Sequence, residues 1–134
     1  MITLKEVIGD IDFDELDEQI QDNIIDLLDK INIIRKAWNK PMIVTSGFRT
    51  MEDHIRVYRE KGITDVTKIP MKSLHLTGKA IDIYDPNFEL TDWCKLNNSK
   101  ILKEVGLWCE DDKSVKRLHF QTSPPRSGSR WFKP

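Results

Sequence analysis

A chain of 134 residues has room for one hydrophobic core and little beyond it. Its 39% hydrophobic and 32% charged residues suit an ordinary soluble domain, and no apolar run approaches the ~20 residues of a membrane span. The net charge of −1 hides a division: residues 1–30 carry ten acids against two bases, a balance of −8, and the other residues carry nineteen bases against twelve acids, +7.

After Asp112 no acid occurs, while Lys113, Lys116, Arg117, Arg126, Arg130 and Lys133 follow. Such a basic half is either a solvated face or an attraction for anionic polymers. The opening "MITLKEVIGDIDFDE" has neither a basic start nor a long apolar stretch, so no secretory signal is expected. The two cysteines, Cys94 and Cys109, lack metal-binding spacing and are expected as buried free thiols.

Leu16, Ile20, Ile24, Leu27, Ile31, Ile34 and Trp38 recur at steps of four and three, which predicts a long helix over about 14–38 with one apolar stripe. Asp12 or Asp14 is a candidate cap at its start, and Asn39-Lys40-Pro41 ends it. "MIVTSGFRT" (42–50) predicts a short buried strand breaking at Ser46-Gly47, followed by a helix over 51–62 capped by Thr50 and stopped by Gly62. Residues 63–72 are irregular. "KAIDIY" (79–84) predicts a strand closed by Asp85-Pro86-Asn87.

Helices near Glu89–Asn97 and Lys100–Val105 follow, then "LWC", a charged loop over 110–116 and a last strand, "RLHFQ" (117–121). The turn-rich tail, 122–134, should wrap the surface with Trp131 and Phe132 docking back. A long helix followed by short strands interleaved with helices predicts a single α+β domain, a small antiparallel sheet packed against helices.

The chemistry-bearing residues stand out against this frame. Of three histidines, His54 lies among the charges of the second helix and is expected to be a surface or hydrogen-bonding residue. In "RLHFQ", Leu118 and Phe120 share one strand face, while His119 and Gln121 share the other and look into a cleft. In "KAIDIY", Asp82 shares a face with Ala80 and Tyr84, opposite Ile81 and Ile83.

A carboxylate held there unpaired would be costly, and either a metal ion or an arginine would relieve it. Gly78 allows a turn that brings His75 toward the same point. A hydrolytic zinc takes three protein ligands and leaves a position for water. His75, Asp82 and His119 are candidates for those ligands, though spacing alone also permits structural roles.

"SLHLTGKAIDI" (73–83) resembles the SxHxxGxAxD signature of the zinc D-Ala-D-Ala carboxypeptidase and L-alanyl-D-glutamate endopeptidase family, with Ser73, His75, Gly78, Ala80 and Asp82 in place. "VTSGFRT" resembles that family's SGYR segment, and "LHFQ" its last ligand motif. "GLW" ahead of His119 and the closing "PP-SG" and "F-P" resemble short phage-encoded members, so the likeness covers roughly residues 14–134.

The resemblance implies a hedgehog/DD-peptidase-like fold, with one zinc ion held by His75, Asp82 and His119. A water of lowered pKa would attack an amide of a peptidoglycan stem peptide or cross-link. Arg49 matches the arginine of the SGYR segment and would hold a substrate carboxylate or the developing oxyanion. Ser73 and Gln121 would hydrogen-bond ligands or substrate.

The pattern departs at one point. Many members place an acidic general base three residues before the last histidine, where this chain has the cation Lys116. Either the base comes from elsewhere or the site is inactive. If "LWCE" and "RLHFQ" pair around a turn near Lys113-Ser114, Trp108 lies opposite His119 and Glu110 opposite Arg117. Glu110 would then be a diagonal neighbour of His119 and the favoured base, with Asp111 second.

The expected activity is that of a phage carboxypeptidase or endopeptidase working on the cell wall. It would be an endolysin released through a holin, or a virion component beside other virion proteins. The alternative is a catalytically silent zinc-holding module that binds wall peptide or serves the virion structurally. Neither nucleic-acid binding nor membrane insertion is expected.

Overall fold

The computed structural model describes residues 1–134. A short helix, α1 (Leu4–Ile8), comes first, and a 3-10 turn over Phe13–Glu15 separates it from the long helix α2 (Glu18–Trp38). Strand β1 (Val44–Ser46) leads into α3 (Met51–Glu60), and β2 (Ala80–Tyr84) into α4 (Glu89–Val105), which breaks at Leu96–Ser99 into two helices as the sequence predicts. Strands β3 (Trp108–Glu110), β4 (Arg117–Gln121) and β5 (Trp131–Phe132) complete a five-stranded sheet of order β1-β2-β4-β3-β5. No helix is long and apolar enough to cross a membrane.

The α+β class holds, but the sheet is mixed. β1, β2, β4 and β3 pair antiparallel, whereas the tail returns to lie parallel to β3, Cys109 facing Trp131 and Glu110 facing Phe132. Trp131 is pinned by its indole N–H donating to Ser99 Oγ at 2.7 Å and by the Lys95 ammonium 4.7 Å above its ring. The predicted docking of the tail is therefore the docking of a strand.

The predicted apolar stripe is the buried face of α2: Ile24, Leu27, Ile31 and Ile34 are fully buried, with Leu16, Ile20 and Trp38 packed at its edges. The helix begins at Glu18 rather than near residue 14. The Asp12 carboxylate accepts from Asp14 N–H and folds a local turn, and the Gln21 amide donates to the Phe13 and Leu16 carbonyls, so the chain bends before the helix starts. The α1 helix carries a capping box, Thr3 and Glu6 satisfying each other's backbone amides. Val7 and Ile8 bury its apolar side, and the Val7 carbonyl accepts from Phe48 N–H at 2.9 Å. Helix α1 thus braces the loop after β1.

In the sheet, Ile81, Ile83, Leu118 and Phe120 are 0–1% exposed and join the α2 and α4 side chains in one core. Each such side chain contributes about 1.5–3 kcal/mol through burial, which holds β2 and β4 rigidly in register. That register sets Asp82 directly opposite His119.

The β3–β4 pairing corrects the expected hairpin: Trp108 faces Gln121 and Cys109 faces Phe120, a shift of two residues. Its cause is local. Asp111 N–H is taken by the Phe132 carbonyl and the Asp112 carboxylate holds Ser114, which moves the turn onward. A shift of two preserves the faces, and continuing the ladder by one residue sets Glu110 across from His119.

Gly78 ends the 3-10 turn Leu74–Thr77 with φ +77°, and a Cβ there would lie 2.6 Å from Ile24 Cγ1. We expect Gly78→Ala to lose about 1–3 kcal/mol of stability in a denaturant titration, from left-handed strain and overpacking together. Both cysteines are free and buried, and burial pushes the Cys94 thiol up to about 12 and Cys109 well above the usual range. Neither thiol should react with an alkylating reagent at mildly alkaline pH until the protein is unfolded.

Candidate metal centre

Two strands and two loops build the site. Asp82 sits on β2 and His119 on β4, face to face, and the Leu74–Thr77 turn carries His75 over the same point. The loop after β1 passes beneath. Gly47 lies so close to the Val7 backbone that any Cβ would collide with the Val7 carbonyl. That close approach explains a glycine between Ser46 and Phe48. All three predicted ligands are thereby brought together, with donor atoms within 4.8 Å of one another.

The hydrogen bonds fix which nitrogen of each ring faces the cluster. His75 Nδ1 lies 2.8 Å from the Gly47 carbonyl, and His119 Nε2 lies 2.9 Å from Gln121 Oε1. Gln121 in turn donates its amide N–H to the Ser123 carbonyl at 2.8 Å, so its oxygen is the atom turned to His119. Carbonyl oxygens only accept, so each of these ring nitrogens carries the hydrogen and donates.

The opposite nitrogens, His75 Nε2 and His119 Nδ1, are bare in the neutral rings. They stand 3.3 and 2.9 Å from the two Asp82 oxygens. At these separations each nitrogen either carries a proton and donates to Asp82, as an imidazolium does, or shares a cation with it. Ligands on a tetrahedral zinc at about 2.0–2.2 Å are separated by about 3.3–3.5 Å. The His75–Asp82 spacing of 3.3 Å meets this, while the 2.9 Å between His119 and Asp82 is a hydrogen-bond distance that would open slightly around an ion. The donor set therefore fits zinc: two imidazoles oriented by partners behind them, and one carboxylate.

Asp82 is 1% exposed. Burial alone would raise its pKa, yet the hydrogen bonds and charges of His119 and His75 outweigh this and hold the carboxyl far below its usual range. His119 responds reciprocally: burial lowers its pKa, while the Asp82 hydrogen bond and charge raise it further, with a smaller push from Glu110. Two arginines complete the surround. Arg117 Nε donates to Asp82 Oδ2 at 3.1 Å, and an Arg49 terminal nitrogen lies 4.0 Å from the same oxygen.

Metal ligands and arginines were alternative ways to relieve a buried carboxylate, and here both stand around it. Arg117 did not emerge as a site residue from the sequence. The alternation that sets His119 and Gln121 on one face of β4 also sets Arg117 there.

The remaining candidates fall into place differently. Ser73 Oγ accepts from His75 N–H at 3.3 Å and caps the turn, and Gln121 orients His119, so both serve ligands within the chain. Asp111 is bound by Lys95 and Lys133 at 3.2 and 3.3 Å, and Asp112 by Ser114. Of the three neighbouring acids, this leaves Glu110 as the carboxylate without such a partner, beside His119 and Phe132. Lys116 is exposed and lies just ahead of β4.

His54, expected at the surface or in a hydrogen bond, is 0% exposed. It keeps the second of those roles, with Nε2 2.7 Å from the Pro70 carbonyl. Phe132 stands edge-on to His119, ring centroids 6.2 Å apart, and lines a groove of about 610 Å³ with Pro125, Arg126, Trp131 and Lys133.

Comparison with known proteins adds the lineage. No curated protein matches the chain. Among solved structures, the crystal structure of Serratia marcescens L-Ala D-Glu endopeptidase ChiX is similar. The two share 21% identity over 87% of this chain and 95% of that one, with a TM-score of 0.49. The profile of the family described as Peptidase M15 matches residues 10–115, a stretch that includes Arg49, His75, Asp82 and Glu110 and stops short of His119. Because that match spans most of the sequence, the chain belongs to the Peptidase M15 family.

Proposed function

We propose that the protein is a zinc-dependent peptidase that hydrolyses peptidoglycan stem peptides or their cross-links. It would act as a carboxypeptidase or endopeptidase that opens the bacterial wall for a bacteriophage, at lysis or from the virion. The observation that carries this is the pair of imidazole nitrogens converging with Asp82 on one point. The substrate class follows from the resemblance of Ser73–Ile83, Ser46–Arg49 and Leu118–Gln121 to motifs of wall peptidases. The phage setting follows from the resemblance of Gly106–Trp108 and of the tail to phage-encoded members.

His75, Asp82 and His119 would hold one zinc, which when bound supplies Lewis acidity and lowers the pKa of water. The Gly47 carbonyl and Gln121 keep the two imidazoles in the tautomer that this requires. Glu110, across the ladder from His119, would take the proton from the attacking water and return it to the departing amine. A base on β3 replaces the acid that Lys116 displaces. Arg49 and Arg117 bring two guanidinium groups to one side of the triad, suited to a substrate carboxylate or to the negative charge that grows on the scissile carbonyl. Phe132 stands beside Glu110 on the neighbouring strand, edge-on to His119.

Purified peptidoglycan incubated with the zinc-loaded protein should release new free amines, and a chelator should abolish that release. Glu110→Gln should bind zinc normally yet lose on the order of 10²–10⁴-fold in rate. Full zinc occupancy with no release from the wild-type protein would instead favour a silent wall-binding module. Gln121→Ala frees His119 to rotate and change tautomer, and should weaken zinc binding about 10–100-fold in a competition titration with a chromogenic chelator.

A further inference from the structure

We propose that His54 is a positioning residue that sets the orientation of the Arg49 guanidinium over the metal triad. This rests on the peptidase reading of that site. The ring is buried between α3 and the segment ahead of Ser73, with the Tyr58 ring edge-on at 5.0 Å. His54 Nε2 donates to the Pro70 carbonyl at 2.7 Å, which leaves Nδ1 as an acceptor. That acceptor faces an Arg49 terminal nitrogen at 3.4 Å.

On its other side, Arg49 Nε donates to Ser46 Oγ at 2.8 Å, and its backbone N–H donates to the His75 carbonyl at 3.0 Å. With Nε and one terminal nitrogen both held, the remaining terminal nitrogen is aimed at Asp82, 4.0 Å from Oδ2. A long, flexible side chain is thereby reduced to one pose, with its free edge turned toward the position of the reacting carbonyl.

The protonation state suits this role. Burial lowers the His54 pKa, and the positive charge of Arg49 lowers it further against the opposing pull of the Pro70 bond, so the ring stays neutral. An imidazolium would carry hydrogen on Nδ1 and turn the acceptor into a donor facing a cation. Ser46 is the ladder partner of Asp82 and Arg49 meets the His75 carbonyl, so the chain is altered at His54, whose replacement removes no donor from the triad.

The test uses the zinc-loaded full chain and compares His54→Phe, which keeps the ring volume but removes both bonds, with His54→Asn, whose carbonyl can stand in for Nδ1. Peptidoglycan cleavage, zinc affinity and the nitrogen NMR signals of Arg49 and His54 are read together. We expect His54 to resonate as the neutral Nε2–H tautomer. In His54→Phe the Arg49 guanidinium signals should collapse to those of a freely rotating group.

Cleavage by His54→Phe should fall on the order of 10–100-fold in kcat/KM at unchanged zinc affinity. His54→Asn should retain most of the activity, and Arg49→Met combined with His54→Phe should be no worse than Arg49→Met alone. Losses that multiply in the double variant, a parallel fall in zinc affinity, or Arg49 signals unaltered in His54→Phe would each overturn the proposal. Should the wild-type protein cleave nothing, the peptidase reading fails, and the NMR comparison still decides whether His54 orients Arg49.

Discussion

A carboxylate buried at the centre of a sheet is the constraint around which this molecule is arranged. Asp82 cannot remain ionised there without compensation, because desolvating a charge costs several kcal/mol even after the surroundings relax. Four cationic or potentially cationic groups answer it: His75, His119, Arg117 and Arg49. The two arginines supply permanent charge. The two imidazoles, turned by Gly47 and Gln121, keep their other nitrogens toward Asp82, where a proton or a metal ion can lie between them. That arrangement offers a divalent metal two nitrogens and a carboxylate at one point.

The fold supplies the precision that such a cluster needs. Burial of Ile81, Ile83, Leu118 and Phe120 locks β2 against β4, so the Asp82–His119 separation is set by the core behind it. His75 depends on three less regular features. Gly78 turns the chain into β2, Ser73 caps the turn, and Gly47 slips under Val7 to offer its carbonyl. Helix α1 therefore contributes to the site without touching it, by fixing the floor on which the Gly47–Arg49 loop rests.

Much of this was legible in the sequence wherever periodicity or spacing is local. The α2 stripe and the alternation in β2 and β4 are visible in the order of residues. The grouping of His75, Asp82 and His119 rested instead on the resemblance of their motifs to a known family. What escaped depended on partners far away in the chain. The burial of His54 is decided by a carbonyl sixteen residues on, and the β3–β4 register by the returning tail, which claims the Asp111 amide. Thr3 and Glu6 did carry a capping signal for α1, but five residues are too few for an apolar stripe to announce a helix. The register error was an even number of residues, so Glu110 keeps the face on which the sequence placed it, beside His119.

The claim on which the rest depends is that two imidazoles and one carboxylate gather a single zinc ion. X-ray absorption at the zinc edge of the stoichiometrically loaded protein tests it most directly. We expect one ion per chain, surrounded by nitrogen and oxygen at about 2.0–2.2 Å, with the multiple-scattering signature of two imidazoles and no sulfur. A sulfur shell, a single imidazole, or a protein that takes up no zinc would contradict it.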